Sequence, residues 1–257
     1  MTAQQQVVAD LAAENDDLDA RVAALPDWST PTPAAGWDVA HQVAHLAWTD
    51  HASLLAITDP DGFAALLADA AADPTGFVDT AAARGARRPP AELLAAWRAG
   101  RAELLAALSA VPAGVKMPWF GPPMSATSMG TARIMETWAH GQDVADALSQ
   151  VHEPTARLKH VAHLGVRTHG YAHLVNGLEP PAAAVRVELT APDGSTWTWN
   201  EDALDSVRGP ALDFCLLVTQ RRHRDDLALV AQGAVAQQWM TVAQAFAGPP
   251  GAGRGAS

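Results

Sequence analysis

Residues 37–56 read WDVAHQVAHLAWTDHASLLA. Asp38 is a good N-cap, and the uninterrupted run of helix formers behind it predicts a helix that carries three histidines, His41, His45 and His51. Around it the first 150 residues are Ala- and Leu-rich segments punctuated by prolines, with no strand-like alternation of β-branched residues. A first helix is predicted over Thr2 to Ala24, ended by Pro26. A third follows Pro89-Pro90 with Leu93, Leu94, Trp97, Leu104, Leu105 and Leu108 as its apolar stripe, and a fourth runs from near Ser128 to about Ser149. Four helices with short connections predict a four-helix bundle, an architecture whose facing side chains can build a metal site.

The pattern changes further along the chain. VPAGVKMPWFGPPMSATS (111–128) holds too many prolines to be helix throughout and is expected as a loop at the bundle end. Residues 153–180 are expected as a helical linker. In 181–248, Val185, Val187 and Leu189 alternate with Arg186 and Glu188, Asp193-Gly194 supplies a turn, and Trp197 and Trp199 alternate with threonines, which predicts a β-hairpin. An apolar helix (LDFCLLVTQ), a short strand (LALVAQG) and a last helix around Trp239 to Phe246 complete a small α+β domain. The expected division is therefore a helical bundle over 1–152, the linker, the α+β domain and a disordered tail over 249–257.

Seventeen basic against twenty-eight acidic side chains give a formal net charge of −11, which repels a phosphate backbone and argues against nucleic-acid binding. No apolar run approaches the roughly 20 residues that span a bilayer, and Met1 to Asp10 lack a basic and apolar leader pattern, so a cytoplasmic protein without a membrane partner is expected. Cys215 lies between Phe214 and Leu216 and has no second cysteine to pair with.

Helical metal sites favour ligands at i and i+4, where 3.6 residues per turn place both side chains on one face. Three pairs compete here: His41/His45, Glu136/His140 and His169/His173. His45 sits in an apolar stripe with Ala44, Leu46 and Ala52, whereas His41 lies near the exposed start of its helix. Glu136 and His140 share one face of an otherwise apolar helix, and a cation would satisfy both on burial, although Arg133 three residues earlier is an alternative partner for Glu136. No acidic residue in helical register completes a third ligand beside His169 and His173.

The segments GWDVAHQVAHLAWTD (36–50) and ARIMETWAHGQDVADAL (132–148) resemble the DinB-like superfamily, and within it the amino-terminal domain of mycothiol-dependent maleylpyruvate isomerases. The later stretch, 185–226, looks like the small α+β domain that follows that bundle. The resemblance implies a metal held by His45, Glu136 and His140, with zinc the best match to an N/O set and another divalent metal accepted. It also implies mycothiol as thiol cosubstrate, adding as a metal-bound thiolate to a small unsaturated acid, in an isomerase or an S-transferase.

Three ligands of His₂Glu type leave a fourth position open, as in catalytic sites. Arg133 and Arg222 are the candidate contacts for an acidic substrate, Asp143 a candidate to orient a ligand imidazole, and Trp48 and His51 candidate pocket residues. Two other readings stand beside the enzyme: a non-catalytic metal-dependent small-ligand-binding protein, and a zinc hydrolase with His41 or His51 as base. The oligomeric state is left open.

Overall fold

The computed structural model describes residues 1–256, which divide into two compact units, Met1–His152 and the described residues from Glu153 onward. Four long helices dominate the first: α1 (Ala3–Ala23), α2 (Val39–Thr58), α5 (Pro90–Ala110) and α6 (Ala126–Ala147), with α1 packed on α6, and α2 on both α5 and α6. Local sequence sets their starts. Thr2 and Gln5 form a capping box on α1, the Asp38 carboxylate accepts from the His41 amide on α2, and the Ser125 hydroxyl accepts from the Ser128 amide on α6.

Two features add to the expected four-helix bundle. The segment after α2 folds into two further helices, α3 (Pro60–Ala72) and α4 (Phe77–Ala86). Asp59 caps the first and Pro60 occupies its opening turn, while α4 packs on α2 so closely that a Cβ on Gly85 would meet the Ala44 methyl at 2.8 Å. The 111–128 segment also contains strand: β1 (Lys116–Met117) pairs antiparallel with β2 (Met124–Ser125), so α6 begins before Ser128.

Apolar clusters fill both ends of the bundle, one around Trp97, Leu46 and Val43, the other around Phe63, Leu108 and Met129. The interior also carries charge. Arg133 Nε donates to Asp50 Oδ1 at 2.9 Å, Trp97 Nε1 donates to Asp50 Oδ2 at 3.1 Å, and all three side chains are essentially inaccessible. Burial pushes the Asp50 carboxyl above its ordinary value even though Arg133 and Trp97 stabilise its charged form.

In the second unit, β3 (Val185–Thr190) is the middle of a mixed sheet with strand order β4-β3-β5-β6. It forms the expected hairpin with β4 (Thr196–Trp199), closed by a turn with Gly194 at φ +82°, and lies parallel to β5 (Asp205–Pro210), which in turn pairs antiparallel with β6 (Val230–Gln232). The β5 strand is not foreseen by periodicity because it ends in Gly209-Pro210. Helices α9 (Ala211–Val218) and α10 (Ala234–Val242) pack on the sheet, where Val187, Leu189 and Val207 meet an interior that includes Phe214 and Trp239. The Asp205 carboxylate caps α10 by accepting from the Val235 and Ala236 amides.

Residues 153–180 are helical, as expected, and group with the second unit. They form α7 (Leu158–Arg167), which packs on α9, and α8 (His169–Val175), which packs on α10. Residues 249–256 contain no helix or strand, and no helix among the described residues is long and apolar enough to cross a membrane.

Two stability measurements follow. Asp50→Ala leaves the Arg133 charge buried without its carboxylate and is expected to cost about 3–5 kcal/mol in urea unfolding; a loss under 1 kcal/mol would contradict the interior ion pair. Burial and the neighbouring His173 pull His169 from 6.5 down to about 4. Its neutral form is thus favoured by folding, and this stability is complete above pH 6.5 and lost as pH falls toward 4. The decline between pH 7.5 and 4.5 is expected to be shallower in His169→Gln than in the wild type.

Candidate metal centre

The packing of α2 on α6 brings three side chains to one point. His45 Nε2 and His140 Nε2 each lie 3.3 Å from the same atom, Glu136 Oε2, and the two imidazole centroids are 4.5 Å apart. Among the described residues, His45, Glu136 and His140 are the group of three whose ligand atoms all fall within 4.8 Å of one another. The side chains of His45, His140 and Glu136 are 9%, 11% and 21% exposed, so the site is recessed but not sealed. Burial opposes the charge on Glu136, yet hydrogen bonding and charge interaction with His140 and His45 overcome it and hold the carboxyl well below its ordinary range.

The donor set fits a divalent cation. Bonds of about 2.0–2.2 Å at tetrahedral angles place neighbouring nitrogen and oxygen ligands about 3.3 Å apart, which matches both imidazole-to-carboxylate separations. As direct hydrogen bonds the same contacts are long.

A buried amide holds one of the rings. Gln42 Oε1 lies 2.5 Å from His140 Nδ1, while Gln42 Nε2 donates to Thr32 Oγ1 at 2.8 Å. The role given to Asp143 from its position, holding a ligand imidazole, is filled at His140 Nδ1 by Gln42; Asp143 itself is buried in α6. Gln42 precedes His45 by three residues on the same helical stripe, a signal present in the sequence but mute without its partner on α6.

An aromatic cover surrounds the rings. Trp37 stacks on His140 with centroids 5.9 Å apart and an interplanar angle of 16°, lies 5.4 Å from His45, and is tethered by its Nε1 donating to Asp79 of α4 at 3.0 Å. On another side Trp48 meets His45, Phe77 and Phe120, so the 111–128 loop reaches the aromatic shell through Phe120.

The other candidates are placed elsewhere. His41 Nδ1 is bound to its own N-cap, Asp38, at 2.7 Å, and His51 is exposed. Arg133 pairs with Asp50 rather than Glu136. Arg222 belongs to the second unit, where its Nη1 donates to the Arg221 carbonyl. His169 and His173 are also in the second unit, with His173 Nδ1 donating to the His169 carbonyl and no third ligand residue beside them among the described residues. Cys215 is fully buried, and burial pushes its thiol well above the ordinary range.

Comparison with known proteins follows the same division of the chain. The family described as mycothiol maleylpyruvate isomerase N-terminal domain matches residues 11–145, and one described as wyosine base formation matches residues 181–232. Two uncharacterized proteins of Mycobacterium tuberculosis, MT0041 of strain CDC 1551 / Oshkosh and Rv0036c of strain ATCC 25618 / H37Rv, are each 59% identical over 250 residues, 96% of this chain and 97% of theirs. The crystal structure of the mycothiol-dependent maleylpyruvate isomerase aligns with a TM-score of 0.59 at 13% identity, over 85% of this chain and 89% of that one. A point mutant of that enzyme gives the same TM-score at 14% identity, over 89% of this chain and 92% of that one. At such identity the likeness is one of fold.

The accessibility of Cys215 gives a direct check. A thiol reagent is expected to leave it unmodified in the native protein at pH 8 and to label one thiol per chain in denaturant; rapid native labelling would place the thiol in a reactive environment instead.

Proposed function

The chain belongs to the mycothiol maleylpyruvate isomerase N-terminal domain family, and from that premise we propose a divalent-metal-dependent isomerase or S-transferase that takes mycothiol as cosubstrate and a small unsaturated acid as substrate. The observation that carries the reading is the convergence of His45 Nε2 and His140 Nε2 on one oxygen of Glu136, at the spacing of zinc ligands. When bound, the ion supplies a Lewis acid with an open position that lowers the pKa of an incoming thiol.

The chain's own residues account for the rest of the reading. Glu136 is held ionised beside the two imidazoles, so a dication bound there would be neutralised in part and an anionic thiol could still approach. Trp37 and Trp48 beside the rings exclude water from the rim, which favours attack by sulfur over hydrolysis. Cys215 is buried and unreactive, so the nucleophilic sulfur must come from outside the protein. The hydrolytic alternative has less support: His41 lies at the capped start of α2 with its Nδ1 on Asp38, outside the group of three ligand residues, and His51 faces solvent.

For the acid group of the substrate the reading names Arg133, one turn before Glu136 on α6. Its guanidinium is buried with Nε taken by Asp50, so a carboxylate would reach the unpartnered Nη2 only if the bundle opened beside it.

Elemental mass spectrometry of the purified wild type is expected to find about one divalent ion per chain, most of it lost in His45→Ala, Glu136→Ala and His140→Ala, followed by calorimetric titration with mycothiol. Metal retained in all three variants would overturn the site. Stoichiometric metal that ignores the thiol would overturn the enzyme and leave a metal-dependent binding protein.

A further inference from the structure

The amide between α2 and α6 has a fixed direction. It begins at the Trp37 carbonyl, which can only accept. Thr32 Oγ1 donates to that carbonyl at 2.8 Å, and the Thr32 amide donates to it as well, also at 2.8 Å. With its proton committed, the Thr32 hydroxyl presents a lone pair, and Gln42 Nε2 donates to it at 2.8 Å. The amide cannot then turn over, so Gln42 Oε1 faces His140 Nδ1. An amide oxygen only accepts, hence the proton of a neutral His140 ring sits on Nδ1 and Nε2 carries a lone pair directed toward Glu136.

His45 is different. Its Nδ1 is buried with no hydrogen-bond partner, and its Nε2 faces Glu136 Oε2 at 3.3 Å, so nothing on the Nδ1 side opposes a proton drawn to Nε2 by the carboxylate. Without the Gln42 oxygen at Nδ1, the His140 ring would be drawn the same way, because a proton on Nε2 could be donated to Glu136 Oε2, the atom 3.3 Å away. That tautomer blocks the lone pair a cation needs, and the ion would have to displace its proton.

We propose that Gln42 is a positioning residue that locks the His140 imidazole in the Nδ1–H tautomer before any ion binds, with Thr32 and the Trp37 carbonyl setting the direction of the lock. The proposal deepens the metal reading and rests on it for its consequence, but the lock itself is a property of the metal-free protein. Gln42 is completely buried, so solvent does not compete for either end of its amide. The same loop that anchors the relay seats the Trp37 ring on His140, which restrains the imidazole plane.

The test uses the full-length protein in metal-free and zinc-titrated form. In the metal-free wild type, ¹⁵N chemical shifts of the imidazoles are expected to report His140 as the Nδ1–H tautomer; in Gln42→Leu it is expected to shift toward Nε2–H, and zinc affinity to fall about 10- to 100-fold. Gln42→Glu, which keeps an acceptor at the same reach, is expected to restore both the tautomer and most of the affinity. That rescue is not expected from a residue that merely fills space. If Gln42→Leu fails to fold, Thr32→Val carries the test, since loss of its hydroxyl frees the amide to turn and is expected to give a tautomer mixture at His140. Retention of Nδ1–H in the variant that folds, or wild-type zinc affinity in Gln42→Leu, would overturn the proposal. Should the wild type bind no zinc, the metal reading fails while the tautomer measurement still decides the role of Gln42.

Discussion

Glu136 Oε2 faces two imidazole nitrogens inside a helix bundle, and the surroundings of the site are organised by that meeting. A carboxylate in so recessed a place loses hydration, and the two imidazoles at 3.3 Å are the groups that offset the loss. A cation held by all three groups, as proposed, would offset it more strongly. Helices α2 and α6 must then keep their register, because a shift of one residue on either would rotate a ligand by about 100° and dissolve the group. The buried Arg133–Asp50 pair joins the same two helices and restricts that register.

Much of this was legible in the chain. Asp38 and the run behind it specified α2, the i,i+4 spacing placed Glu136 and His140 on one face, and alternation in 185–190 specified the hairpin. What escaped did so for physical reasons. Helices α3 and α4 are short, with Phe63, Ala81 and Ala82 as their buried residues, so no sustained apolar stripe announced them. A strand that ends in Gly-Pro is masked by its turn residues, and a two-residue ribbon carries no periodicity.

Pairing between distant segments was the harder part. Local spacing offered Arg133 to Glu136, yet the guanidinium crosses to Asp50, 83 residues away in sequence. Likewise Gln42 reads as an ordinary helical amide until its partner, 98 residues on, lies against it. Asp143 drew attention by lying three residues past His140, whereas the partner at His140 Nδ1 is Gln42, which no local spacing points to. Segment 153–180 read as a linker since its two helices are short and lie between prolines, and their packing on α9 and α10 assigns them to the second unit.

The central claim is that His45, Glu136 and His140 hold one ion with a position left for a thiol. Loading the metal-free protein with cobalt(II) tests it most directly, because visible absorption of that ion reports both geometry and donor type. The account predicts an intense tetrahedral spectrum at one equivalent and a new sulfur-to-cobalt charge-transfer band on addition of mycothiol. A weak octahedral spectrum, or one that the thiol leaves unchanged, would contradict it.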